Sequence, residues 1–128
     1  MRYTSPPNQQ AYYEQVWNLA RQIPSGKVAS YGQLALMIPP PVGVEFDSYK
    51  AFSPRWVGGA MAACPDDVPW QRVINSQGKI SERAGAEKQR QLLEQEGVEF
   101  DAKDKVDLKK YGWKGPNEAD EPRQETLF

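Results

Sequence analysis

Three consecutive prolines, Pro39-Pro40-Pro41, do most to limit what this chain can fold into. No α-helix passes through such a run, because each proline lacks the amide hydrogen and restricts the residue before it. The chain must therefore change direction there, with helical spacing on both sides. Upstream, Tyr12, Val16, Leu19 and Ile23 recur on one helical face, which predicts an amphipathic helix over residues 8–23 capped by Asn8. Pro24-Ser25-Gly26-Lys27 reads as a turn. Ser30 then caps a second, short helix over residues 31–38, which the proline run ends.

Downstream, residues 39–52 read as an irregular excursion, long for a helix–helix connection and of the kind that is functional or mobile. Ser53-Pro54 has the form of an N-cap followed by proline at the first helical position, so a third helix is expected over residues 53–63. Helices 31–38 and 53–63 make a helix-turn-helix with a stretched turn. Residues 73–80 read as strand, turn and strand, a small wing-like hairpin. Residues 86–95 form a further helix, with Leu92 and Leu93 inward and Gly97 as terminator. Over 103–113, charges alternate with Val106, Leu108, Tyr111 and Trp113, a segment expected to pack back on the core. The expected fold is mainly α with a small β-hairpin: one winged-helix-like domain over 1–114, then a disordered acidic tail over 115–128.

Composition excludes several functions. One cysteine permits no internal disulfide, and with no histidine no zinc site is expected. Neither a cofactor nor a second subunit is called for. No apolar run approaches membrane-span length, and Met1-Arg2-Tyr3-Thr4-Ser5-Pro6-Pro7 has no signal-peptide core, so a cytoplasmic or nucleoid setting is expected. The net charge of −1 argues against a broad electrostatic nucleic-acid binder. Glu118, Asp120, Glu121 and Glu125 lie in the tail, however, so the body is slightly positive and any DNA contact would be local.

Three motifs stand in order: Gly26-Lys27-Val28-Ala29-Ser30-Tyr31-Gly32, then Arg55-x-Val57-Gly58-Gly59-Ala60-Met61, then Pro69-x-x-Arg72-Val73-Ile74-Asn75-Ser76-x-Gly78. Together they resemble the DNA-binding domain of O6-alkylguanine-DNA alkyltransferases, over residues 11–113. Trp70 occupies the position of that family's acceptor cysteine, as in the alkyltransferase-like proteins, which transfer nothing. Gln71 occupies the place of the activating histidine, and Arg90 is aligned with the glutamate of the same relay. The resemblance implies no enzymatic activity. It implies binding of duplex DNA that contains O6-alkylguanine, rotation of the lesion into a Trp70 pocket, and recruitment of nucleotide excision repair proteins.

The resemblance also gives individual roles. Arg55 is the finger that fills the gap left by the rotated nucleotide, from the start of the recognition helix. The alternative is a surface arginine, disfavoured at a helix N-terminus by the dipole. Tyr31 presses on the target phosphate, or is a half-buried core aromatic. Gly58 and Gly59 allow close approach, either of a neighbouring helix or of the DNA backbone. Trp70 offers a flat face for a base, or fills the core. Arg83 lies beside the lesion, or pairs with Glu82 or Glu87. Arg72 is counted with the DNA-binding set, although pinning its loop by bonding carbonyls is its expected task.

Two rivals remain at this level. Cys64 gives an alkyltransferase a thiol, unactivated for want of a histidine. A helix-turn-helix also suits a transcription regulator reading the major groove. Finally, Gln124, Leu127 and Phe128 resemble the short terminal peptide by which bacterial repair proteins bind the sliding clamp.

Overall fold

The computed structural model describes residues 6–116. Helix α1 spans Gln9–Ala20, with the Asn8 side chain accepting from the Ala11 amide at 3.2 Å. It buries Tyr12, Val16 and Ala20. Ile23 is buried too, but in a turn beyond the helix, where Gln22 and Ile23 donate to Leu19 and Ala20. Pro24 explains the early stop, because it pushes Ile23 out of helical geometry.

Strand β1, Ala29–Ser30, leads into helix α2, Tyr31–Leu36. Ser30 and Gln33 form a reciprocal capping box, so the start of this helix is fixed locally. Helix α3 departs from expectation. It spans Phe46–Ala62, beginning seven residues before Ser53, so half of the expected loop is helix and Pro54 lies inside it. Tertiary burial overrides the local Ser-Pro signal. Tyr49, Ser53, Trp56, Val57, Ala60 and Met61 form one buried stripe that runs across the proline. Tyr12 donates to the Tyr49 hydroxyl at 2.9 Å, which donates to the Ala35 carbonyl at 2.6 Å. The rings of Tyr12 and Trp56 meet edge to face at 5.5 Å. These contacts join α1, α2 and α3 through the first turns of α3, and they offset the single helical bond lost at Pro54.

Strand β2, Val73–Ile74, follows a 3-10 turn at Trp70–Arg72. It pairs parallel with β1, Ala29 opposite Val73 and Ser30 opposite Ile74, so the expected hairpin over 73–80 does not form. Asn75 closes a tight turn instead, its Oδ1 accepting from the amides of Gln77 and Lys79. Beyond the turn, the Gly78 carbonyl accepts from Val106, and the chain docks on a distant segment. Gly78 needs its positive φ of 82°, and a Cβ there would lie 2.7 Å from the Val106 carbonyl.

Helix α4, Ala86–Gln95, matches expectation, with Gly97 in left-handed geometry after its end. Leu93 is buried and Leu92 only half so. Helix α5, Leu108–Tyr111, is short, and Trp113 is buried while Leu108 is exposed. Val28 holds this last segment by two bonds, receiving from Trp113 and donating to Tyr111. The main core lies among α1, α2 and α3. A satellite cluster of Val28, Ile74, Leu93, Val98 and Val106 fixes α4. No helix among the described residues is long and apolar enough to cross a membrane. Gln124, Leu127 and Phe128, with most of the expected tail, lie outside the described residues.

Candidate nucleic-acid interface

Tyr31 is the first residue of α2, placed there by the capping box. It packs against the core in part, so its half-buried aromatic reading holds, and its hydroxyl points to Arg83 at 3.1 Å. Tyr31, Arg55, Gly58, Met61, Ala62 and Arg83 border an open groove of about 310 Å³. Arg55 sits in the middle of α3, not at its start, so the helix-dipole argument against an ordinary arginine does not apply. The side chain is exposed, on the groove side of the helix.

The two glycines differ in what surrounds them. A Cβ on Gly59 would lie 2.7 Å from the Tyr13 hydroxyl, so this glycine serves the packing of α1 on α3. A Cβ on Gly58 would meet nothing within 4 Å, and this position lies open in the groove. Gly58 leaves backbone accessible to a large, flat partner.

The second cavity, about 480 Å³, is bordered by Met61, Cys64, Pro65, Trp70, Arg83 and Gly85 among others. Trp70 is half-buried, resting partly on the core while facing the cavity. The buried Val68 anchors its turn, and the Trp70 amide donates to the Val68 carbonyl at 2.7 Å. Cys64 lies in the same wall. Burial raises its thiol pKa, and the nearby Asp66 and Asp67 add to the effect, so thiolate is scarce at neutral pH.

The two residues after Trp70 converge on one carboxylate. Gln71 Nε2 donates to Glu96 at 2.8 Å. Arg72 donates to the same carboxylate through Nε and Nη2, and through Nη1 to the Ile23 carbonyl at 2.8 Å. The Gly26 amide adds a bond at 3.1 Å. Burial works to raise the Glu96 pKa, but the bonds from Arg72, Gly26 and Gln71 outweigh it and hold the group below its ordinary value. The carboxylate bonded to Gln71 is thus Glu96, and Arg90 takes no part in this cluster. Arg90 pairs instead with Glu94 and Asp104 and lies over the Phe100 ring. Arg72 is likewise removed from the DNA-facing set: its guanidinium is engaged in pinning the loop of residues 23–26 to Glu96.

Arg83 borders both cavities. It pairs with neither Glu82 nor Glu87. Its partners are Tyr31 and, at 3.3 Å, the side-chain oxygen of Gln89. Gln89 is fully buried and escaped the sequence reading. Its position four residues before the buried Leu93, on the same face of α4, was the available signal.

A helix-turn-helix pair whose long second helix exposes one arginine, beside a cavity walled by tryptophan, defines a small DNA-binding module. The chain belongs to the family described as 6-O-methylguanine DNA methyltransferase, DNA binding domain, whose model matches residues 11–98. It is 40% identical over 102 residues to the DNA base-flipping protein of Vibrio parahaemolyticus, covering 77% of this chain and 92% of that protein. It is 39% identical over 112 residues to Alkyltransferase-like protein 1 of Schizosaccharomyces pombe, covering 80% and 94%. The structure resembles that of S. pombe Atl1 in complex with damaged DNA containing O6-carboxymethylguanine. That match has a TM-score of 0.65 and 36% identity, over 82% of this chain and 96% of that one.

Proposed function

We propose that this protein is a non-enzymatic sensor that binds O6-alkylguanine in duplex DNA and rotates the lesion into the Trp70 cavity. The observation that carries the reading is that the two cavities adjoin, sharing Met61, Ala62 and Arg83 in their linings. A base leaving the duplex at the groove of Tyr31 and Arg55 has a walled space beside it. Extruding a base costs a few kcal/mol. Arg55, a planar cation on an exposed helix face, offsets part of this by stacking and donating in the vacated position. Contact with an aromatic face is worth about 1–3 kcal/mol per base, and Trp70 supplies that face. Arg83 at the cavity border meets the electron-rich purine.

Three features support binding without transfer. The Trp70 indole has no nucleophilic centre suited to accepting an alkyl group. The Gln71 amide donates to Glu96 and cannot serve as a base near neutral pH. Cys64 borders the cavity, but its pKa is raised. The same groove argues against a regulator that reads bases in the major groove, because the α3 residues that line it are Pro54, Gly58, Met61 and Ala62, with Arg55 the one side chain of α3 there able to hydrogen-bond a base edge. The lesion complex, held open and unrepaired, is the signal that nucleotide excision repair proteins would read, and the setting is cytoplasmic. The test is titration of duplexes with and without one O6-alkylguanine at fixed salt. Equal affinity for both overturns the proposal.

A further inference from the structure

We propose that Gln89 is a positioning residue that couples the turn carrying Trp70 to Arg83 and Tyr31, so that lesion discrimination depends on it. The inference rests on the lesion-binding reading above and assigns that site a residue on its inner side. Gln89 is fully buried on α4, and all three of its side-chain bonds are directed. Nε2 donates to the Gln71 carbonyl at 3.2 Å and the Val73 carbonyl at 3.0 Å. Oε1 accepts from Arg83 Nη2 at 3.3 Å. The reverse amide orientation would set an oxygen against two carbonyls and an NH2 against a guanidinium, so the observed one is fixed by its neighbours.

The consequences run outward from the core. One carbonyl belongs to the turn that presents Trp70 and the other to the first residue of β2, directly after it, so any shift of that turn moves the oxygen that holds Arg83. Arg83 in turn donates through Nη1 to the Tyr31 hydroxyl at 3.1 Å. Because Tyr31 accepts that bond, its own proton points away from Arg83 and is free for a phosphate oxygen. One buried amide thereby sets the aromatic wall, the cation at the cavity border and the phosphate donor in a single register. An apolar residue of similar length would keep the packing and lose the register.

The test compares Gln89→Met with the unsubstituted full-length protein, on duplexes with and without one O6-alkylguanine. The ratio of the two affinities is expected to fall about tenfold. Arg83→Ala combined with Gln89→Met is expected to lose no more discrimination than Arg83→Ala alone. A parallel drop in both affinities, or additive losses in the double variant, would mean that Gln89 serves only folding, and would overturn the inference. If Gln89→Met does not fold, the unsubstituted protein decides by NMR. Distinct, slowly exchanging Arg83 Nη resonances are expected, and freely averaged ones overturn the inference. Discrimination by the unsubstituted protein that survives in Gln89→Met sinks this inference alone. No discrimination by the unsubstituted protein sinks the lesion reading and this inference with it.

Discussion

Gln71 donates from Nε2 to Glu96 across 2.8 Å, so an amide makes the bond between the Trp70 turn and this half-buried carboxylate. A relay that activates a thiol needs a group there able to take and return a proton, and an amide does neither. Trp70→Cys alone is therefore expected to leave alkyl transfer slow, whereas Trp70→Cys with Gln71→His restores more of it, because Glu96 is already in place. Mass spectrometry after incubation with alkylated DNA measures both. Near-normal transfer by the single variant would show that the site does not need a base.

Cys64 gives a companion prediction. Its raised pKa leaves it a poor nucleophile even though it shares the cavity with Trp70. No mass gain is expected on Cys64 after incubation with alkylated DNA, and stoichiometric alkylation there would make the protein an enzyme after all.

The Arg72–Glu96 pair predicts how stability depends on pH. The Glu96 pKa is lowered in the folded state, so the stability it contributes is present above the ordinary glutamate range. That stability is lost as pH falls through the folded value. Glu96→Gln should flatten the acid limb of a pH–stability curve. Glu96→Ala leaves Arg72 without its partner and should cost about 2–3 kcal/mol, somewhat less than for a fully buried pair. Denaturant unfolding from pH 7 to pH 3 is the measurement.

Gly58 and Gly59 should respond oppositely to alanine. Gly58 has open space and gains helix propensity, so Gly58→Ala should raise stability by about 0.5–1 kcal/mol while weakening duplex binding. Gly59→Ala drives a methyl into the Tyr13 hydroxyl, which should cancel that gain. Thermal unfolding and DNA titration of the two variants separate packing from DNA approach.

Residues 124–128 carry the clamp-binding proposal. Deleting them should abolish binding to a bacterial sliding clamp and leave lesion affinity within about twofold, since the proposed mode is an isolated extended peptide. Unchanged clamp binding after the deletion would remove the proposal.

Much of this architecture is written locally. Asn8, Ser30 and Gly97 each satisfy or end a helix through neighbours a few residues away, and the sequence placed them correctly, although the reciprocal bond from Gln33 to Ser30 went unread. The start of α3 was misplaced because Ser53-Pro54 has a true N-terminal signature, while the stronger cause, Tyr49 bonded to Tyr12 and Ala35, lies in tertiary space. Pairing of Val73–Ile74 with Ala29–Ser30 is non-local in the same way. In the candidate site, Tyr31, Arg55, Trp70 and Arg83 were singled out by the resemblance, and the structure places them around two adjoining cavities. Glu96 and Gln89 were not, since their roles lie in bonds to Gln71, Arg72, Val73 and Arg83 that no spacing rule encodes.

The central claim, that the groove of Tyr31 and Arg55 delivers an alkylated base to Trp70, is tested most directly by one titration. Matched duplexes with guanine or a single O6-alkylguanine are compared at one salt concentration, because absolute DNA affinities shift with salt. Tighter binding of the lesion duplex by the unsubstituted protein, reduced toward the undamaged value by Trp70→Ala, is the predicted result. Equal affinity for the two duplexes, or a preference unaffected by Trp70→Ala, would contradict the account.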